Sequence, residues 1–189
     1  MNTPAHLLIA AAAFAQPGAR ARNTAALVGG FLPDASLYGM VAINGLIRGM
    51  PPSEIFGRAY FDPFWQGIFA VDNSVFVWGA ALIAGLGSGL GALIAFAGSG
   101  LLHIATDLPL HHDDGRAHFW PFSDWIFNSP VSYWDRSAYG DVVSLLEVVL
   151  CTGLAVILWR RFHGWPARVA VSTALVALLL PSVIFGLML

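Results

Sequence analysis

Apolar residues in this chain come in long runs separated by short polar clusters. A membrane β-barrel would instead show alternating segments of about ten residues. Val169 to Leu189 carries no charge and is long enough for one helical span at about 1.5 Å per residue. Val142 to Trp159 is a second such run, with Glu147 inside it and Arg160-Arg161 at its end. Ser74 to Leu102 is uncharged and too long for one straight helix across a hydrocarbon core of about 30 Å. Its middle, Gly85-Leu-Gly-Ser-Gly-Leu-Gly91, offers a turn, so the pattern predicts a helical hairpin over roughly 66–85 and 89–108. One long tilted helix is the alternative.

The N-terminal third is more broken. His6 to Ala15 and Asn23 to Leu32 are short apolar stretches joined by Gln16-Pro-Gly-Ala-Arg-Ala-Arg22, and each reads as a partly inserted helix. Residues 36–50 form a further helix candidate stopped by Pro51-Pro52. Two loops follow from the same reading, an aromatic one over 51–65 and a longer one over 109–141 rich in Asp, His, Trp and Pro. The expected architecture is an all-α polytopic membrane protein. It has about four full spans, short N-terminal helices, and a single domain over 1–189.

Composition sharpens this picture. Of 189 residues, 57% are hydrophobic and 11% charged, and mean hydropathy is +0.70. Soluble domains are about 45–50% apolar and about 25% charged, so a soluble monomer is excluded. An aromatic content of 13% excludes disorder. Net charge is −2 and the basic residues form no patch, so no nucleic-acid partner is expected. All nine basic residues are Arg, which suggests a GC-rich bacterial genome. No basic segment precedes the first apolar stretch, so a cleavable signal peptide is not expected. Cys151 lies inside an apolar run and reads as a buried thiol. Trp65, Trp120, Trp125, Trp134, Trp159 and Trp165 flank the runs as an interfacial belt does.

Ionisable groups are costly in such a chain and usually serve a function. His103-Ile-Ala-Thr-Asp107 places an imidazole and a carboxylate on one helix face, a borderline donor pair suited to zinc, manganese or iron. A helix-end hydrogen bond is the plainer reading of the pair. If the hairpin turns near Gly87, Asp72 and Asn73 reach the depth of His103. His6 and Asp34 likewise flank the turn near Gly18, so ligand-type residues from distant segments converge at one membrane face. Span ends that simply meet water would also account for Asp34 and Asp72.

These residues carry a resemblance. His6 opening the first helix, Pro33-Asp34 after Gly-Gly-Phe-Leu, and His103-Ile-Ala-Thr-Asp107 leading to Phe119-Trp-Pro-Phe122 stand in order over roughly residues 1–125. The set resembles the bacterial inner-membrane metal-dependent hydrolases typified by YdjM, thought to be distantly similar to zinc-dependent phospholipase C and P1 nuclease. The second acid of that family's Pro-Asp-x-Asp motif falls at Ser36, and the His of its Thr-His-Ser motif falls at Asn73.

The resemblance implies a divalent metal held by His6, Asp34, His103 and Asp107, zinc first and manganese or iron next. Where the chain departs from the family, Asp72 is the candidate general base or extra ligand, and His111 or His112 the candidate proton donor to a leaving group. A plain solvated loop is the alternative reading of these two histidines. Membrane lipid and a lipid-linked phosphoester are the expected partners. The competing expectation is a non-enzymatic transporter component or assembly factor whose His/Asp cluster binds metal structurally or carries protons. Arg20, Arg22, Arg160, Arg161 and Arg168 concentrate in short loops, which favours a cytoplasmic side for them and an outer-facing site in a bacterial inner membrane.

Overall fold

The computed structural model describes residues 1–187, with side chains described to residue 180. Every regular element among them is helical. In chain order these are α1 (Thr3–Phe14), α2 (Arg20–Val41), α3 (Pro52–Glu54), α4 (Pro63–Asp72), α5 (Val75–Ser88), α6 (Gly91–Asp107), α7 (Gly140–Arg161) and α8 (Trp165–Leu187). Four helical stretches are long and apolar enough to cross a membrane: Arg20–Ile47, Pro63–Ser88, Gly91–Leu110 and Gly140–Arg161. The chain is thus an all-α, multi-pass membrane protein.

The predicted hairpin is present as α5 and α6. It turns at Gly89, whose φ of 70° lies in the left-handed region that a side chain disfavours. The N-terminal third differs from expectation. Pro33 does not end a helix, and α2 continues through Pro33-Asp34 into a π-helical turn over Ala42–Ile47. The second N-terminal stretch is therefore part of a full-length candidate span. Proline removes one backbone donor, the one that would pair with the Gly29 carbonyl one turn back. Around this turn, Asn73 Nδ2 (3.2 Å) and Arg116 Nη1 (3.3 Å) donate to the Pro33 carbonyl. His103 Nδ1 lies 2.8 Å from the carbonyl of Gly30, in the turn that the proline loosens.

Residues 51–65 are not a plain loop either, since they contain α3 and a π-helical turn over Ile55–Ala59. The 109–141 segment is largely irregular, as expected. The predicted span from Val169 to Leu189 corresponds to α8, but its end lies outside the described residues; Trp165–Leu180 is apolar and short of a span by itself.

Small residues let α1, α2 and α6 approach closely, the usual basis of helix association in a membrane. A Cβ on Gly29 of α2 would stand 2.0 Å from the Phe96 carbonyl oxygen of α6, and one on Gly30 would stand 2.9 Å from Ala10 Cβ of α1. The opposite face of α1 carries Ala5 and Leu8 into a core shared with Cys151, Leu158 and Leu178 of α7 and α8. Thus α1 is a common wall between a tight α2–α5–α6 unit and the α7–α8 pair.

Candidate metal centre

Four residues named from sequence converge beside that wall. His6 of α1, Asp34 of α2, and His103 and Asp107 of α6 are each at most 5% exposed. One ligand atom from each of His6, His103 and Asp107 lies within 4.8 Å of the others. The two imidazoles stack with centroids 3.6 Å apart and an interplanar angle of 16°. Asp34 stands at the edge of this triad. Its Oδ1 is 3.6 Å from His103 Nε2 and its Oδ2 accepts from Thr3 Oγ1 at 2.6 Å.

Hydrogen bonding sets the tautomers. The Gly30 carbonyl can only accept, so His103 Nδ1 carries the proton and Nε2 presents a lone pair. That Nε2 is buried and has no hydrogen-bond partner. Thr106 Oγ1 donates to backbone carbonyls of its own helix, to Leu102 at 2.9 Å and His103 at 3.0 Å. Thr106 Oγ1 also lies 3.3 Å from His6 Nδ1. His6 Nε2 lies 3.1 Å from Asp107 Oδ1, and the α-amino group of Met1 touches the same oxygen. A divalent metal would join Asp107 and His6 Nε2 to the orphaned His103 Nε2. Two imidazole nitrogens and a carboxylate, each imidazole contacted through its other nitrogen, form a donor set that could hold a divalent metal.

The other sequence candidates divide. His111 joins the site, with Nε2 3.0 Å from Asp107 Oδ2 and Nδ1 2.9 Å from Asp114 Oδ1. Burial opposes its charge, but the carboxylates on either side outweigh burial and raise its pKa. Burial likewise opposes charge on Asp114, and the His111 contact overcomes it to lower that pKa. Asp114 is only half-buried, so His111 links the cluster to a partly solvated carboxylate.

His112 does not join. It is exposed and its Nδ1 bonds the Ser129 carbonyl at 2.6 Å, because the extended backbone at His111 sends the next side chain the other way. Asp72 does not join either. It is half-buried at the end of α4, and its side chain makes no hydrogen bond or ion pair among the described residues. Its neighbour Asn73 turns inward instead, fully buried, where its Oδ1 accepts from Arg116 Nη1 at 2.9 Å.

Arg116 is the residue that the sequence reading missed. Its guanidinium is 3% exposed, lies over the Phe69 ring, and places Nη2 3.7 Å from Asp34 Oδ1. A lone Arg in a polar loop gives no sequence signal of burial. The segment that delivers it is stitched to the α4–α5 break. His118 Nδ1 donates to the Asn73 carbonyl at 3.0 Å, Val75 N to the His118 carbonyl at 2.9 Å, and Ser74 Oγ to the Trp120 carbonyl.

Comparisons with known protein families, curated proteins and solved structures give no match to this chain. The functional argument rests on the site itself.

Proposed function

We propose that this chain is a membrane-embedded, metal-dependent hydrolase acting on a lipid or lipid-linked phosphoester. Its divalent metal is zinc by donor chemistry, with manganese or iron accepted by the same set. His6, His103 and Asp107 hold it, and Asp34 stands beside it as a second carboxylate. The observation that carries this reading is the buried, partnerless Nε2 of His103 facing a second imidazole and a carboxylate. Bound there, a divalent metal supplies polarisation of an ester oxygen and makes water acidic enough to attack near neutral pH.

The protein's own groups do the rest. The Gly30 carbonyl fixes His103 in a ligating tautomer, Thr106 contacts the other nitrogen of His6, and Arg116 steadies Asp34. His111 hands a proton to the leaving group and recovers it through Asp114. Position supports the substrate class. From Arg20 to Asp34 along α2, and from Arg161 to Glu147 along α7, the rise is about 21 Å. The cluster thus lies within reach of lipid, short of the far boundary of a core of about 30 Å. The concentration of Arg20, Arg22, Arg160, Arg161 and Arg168 in short loops supports a cytoplasmic side there, and an outer-facing site in a bacterial inner membrane. The ordered likeness to YdjM-type hydrolases is in keeping with this reading.

The near-complete burial of all five cluster residues favours a second reading, a closed structural metal site in a non-enzymatic membrane protein. One experiment separates the two. Detergent-purified protein is assayed for metal and for phosphate release from phospholipid substrates. About one divalent ion per chain is expected, with occupancy falling about 100-fold in affinity or more in His103→Ala and Asp107→Ala. Protein free of metal and indifferent to added zinc, manganese or iron would remove the site altogether. Bound metal without turnover on any phosphoester would decide for the structural reading.

A further inference from the structure

Beyond Asp34, α2 ends in a pocket that the His/Asp cluster does not use. Two π-helical turns flank it, marked by Arg48 N donating to the Ile43 carbonyl at 3.1 Å and Tyr60 N to the Ile55 carbonyl at 2.8 Å. Such turns re-aim side chains and recur at functional positions. The pocket has a volume of about 430 Å³ and is lined by Asn44, Arg48, Arg58, Asp62, Phe64 and Trp65 among others. Asn44 is fully buried. Its Nδ2 donates to the Met40 carbonyl at 2.9 Å, which leaves Oδ1 to accept from Arg48 Nη1 at 3.1 Å. A buried amide therefore holds one guanidinium at the pocket.

The second guanidinium, Arg58, is tied only to Glu54 in an exposed i,i+4 pair. Such pairs contribute little and exchange partners readily. Asp62, the acid of the lining, uses Oδ1 to cap α4 through Phe64 N at 2.9 Å.

The lining indicates what the guanidiniums meet. Phe64 is 67% exposed and packs edge-on against Trp65, so the two rings form an apolar lip of the pocket. Depth agrees. The Arg20–Ile47 helix has 28 residues, about 42 Å of rise, against a hydrocarbon core of about 30 Å. Arg20 and Arg48 mark its two ends, so Arg48 stands at headgroup level.

We propose that this pocket binds the phosphate of an anionic phospholipid, with Arg48 and Arg58 on the phosphate oxygens and acyl chains against Phe64 and Trp65. Arginine suits this role through its forked, bidentate donors. The proposal stands whether or not the chain is a hydrolase.

Native mass spectrometry of the full chain in detergent tests it, with phosphatidylglycerol, phosphatidylcholine and inorganic phosphate as separate probes. Phosphatidylglycerol is expected to bind about tenfold more tightly than phosphatidylcholine, and Arg48→Gln and Arg58→Gln each to weaken it about tenfold. Phe64→Ser should weaken the lipid as well, and Arg20→Gln should leave it unchanged. All four positions are exposed, and unaltered melting temperatures confirm that each variant folds. Inorganic phosphate competing as well as the lipid, with Phe64→Ser silent, would overturn the lipid assignment in favour of a free-phosphate site. Equal binding of the two lipids, or indifference to both arginine substitutions, would overturn the pocket itself.

Discussion

The α2–α6 crossing and helix α7 are both apolar, yet they are built on opposite principles. At the crossing, backbones approach until a Cβ at Gly29 would stand 2.0 Å from a carbonyl oxygen, and the gap leaves no room to adjust. On α7, Glu147, Cys151, Ala155 and Leu158 form one narrow buried stripe, while Leu145, Leu146 and Val149 are each more than 60% exposed. In a bilayer, apolar exposure costs nothing, because lipid tails are as apolar as leucine. What holds helices together there is close contact and polar bonding. The crossing has the first and carries most of the His/Asp cluster; α7 adds the second, at both ends of α1.

The largest effect should separate these two designs. Gly29→Ala is expected to destabilise the protein by about 3 kcal/mol, the upper end for overpacking, because the clash is with backbone. Gly153→Ala on α7, where nothing lies within 4 Å, should stay within about 0.5 kcal/mol of the parent. Thermal melting in detergent reads both. Equal tolerance at the two positions would mean that the crossing is looser than its geometry states.

That contrast also explains what the sequence disclosed. The α5–α6 turn was legible because Gly85 to Gly91 interrupts a run too long for one helix, and the run's length forces a choice. His103 and Asp107 were legible from helical spacing alone, and His6 and Asp34 from counting residues to a turn. Continuity through Pro33 was not legible. The side chains that hold this turn, Asn73 and Arg116 on the Pro33 carbonyl and His103 on that of Gly30, are all distant in sequence. Asp72 and Asn73 are adjacent, and counting residues cannot say which one faces inward. The close of α4 at Asp72 and the cap of α5 by Ser74 decide it, turning Asn73 into the core. His111 and His112 pose the same one-residue ambiguity. Burial of Arg116 depends on three bonds between its loop and the α4–α5 break, none of which leaves a pattern in the sequence.

A smaller effect is expected where α7 meets the start of α1. Glu147 is 3% exposed and accepts from Asn2 twice, from the backbone N–H at 2.7 Å and from Nδ2 at 2.9 Å. Glu147→Leu leaves both donors unpaired in an apolar setting, at a cost of about 1–3 kcal/mol. Glu147→Gln keeps one acceptor oxygen and should cost less. Comparing melting temperatures of the two variants tests whether polar bonding, rather than apolar packing, fastens α7. A leucine variant as stable as the parent would give α7 the same packing logic as the crossing.

The smallest effect belongs to the other end of α1. Arg161 Nη1 donates to the carbonyls of Ala12 at 2.7 Å, Ala15 at 3.1 Å and Ala11 at 3.4 Å. Ala12 and Ala15 stand at the end of α1, while the Ala11 carbonyl also accepts from the Ala15 N–H, and a cation there meets the negative end of the helix dipole. Arg161→Ala should cost about 1 kcal/mol, since water at a helix end replaces part of what is lost. Arg160→Ala, at an exposed position with no polar partner among the described residues, should be silent in the same melting assay. From Phe14 back to His6 the rise along α1 is about 12 Å, so a local fastening leaves the cluster untouched. Metal content in Arg161→Ala should therefore match the parent even as its melting temperature falls. If metal is lost in step with stability, the register of α1 is set from its far end. His6 would then owe its place to α7 rather than to the close contacts of Gly30 and Ala10.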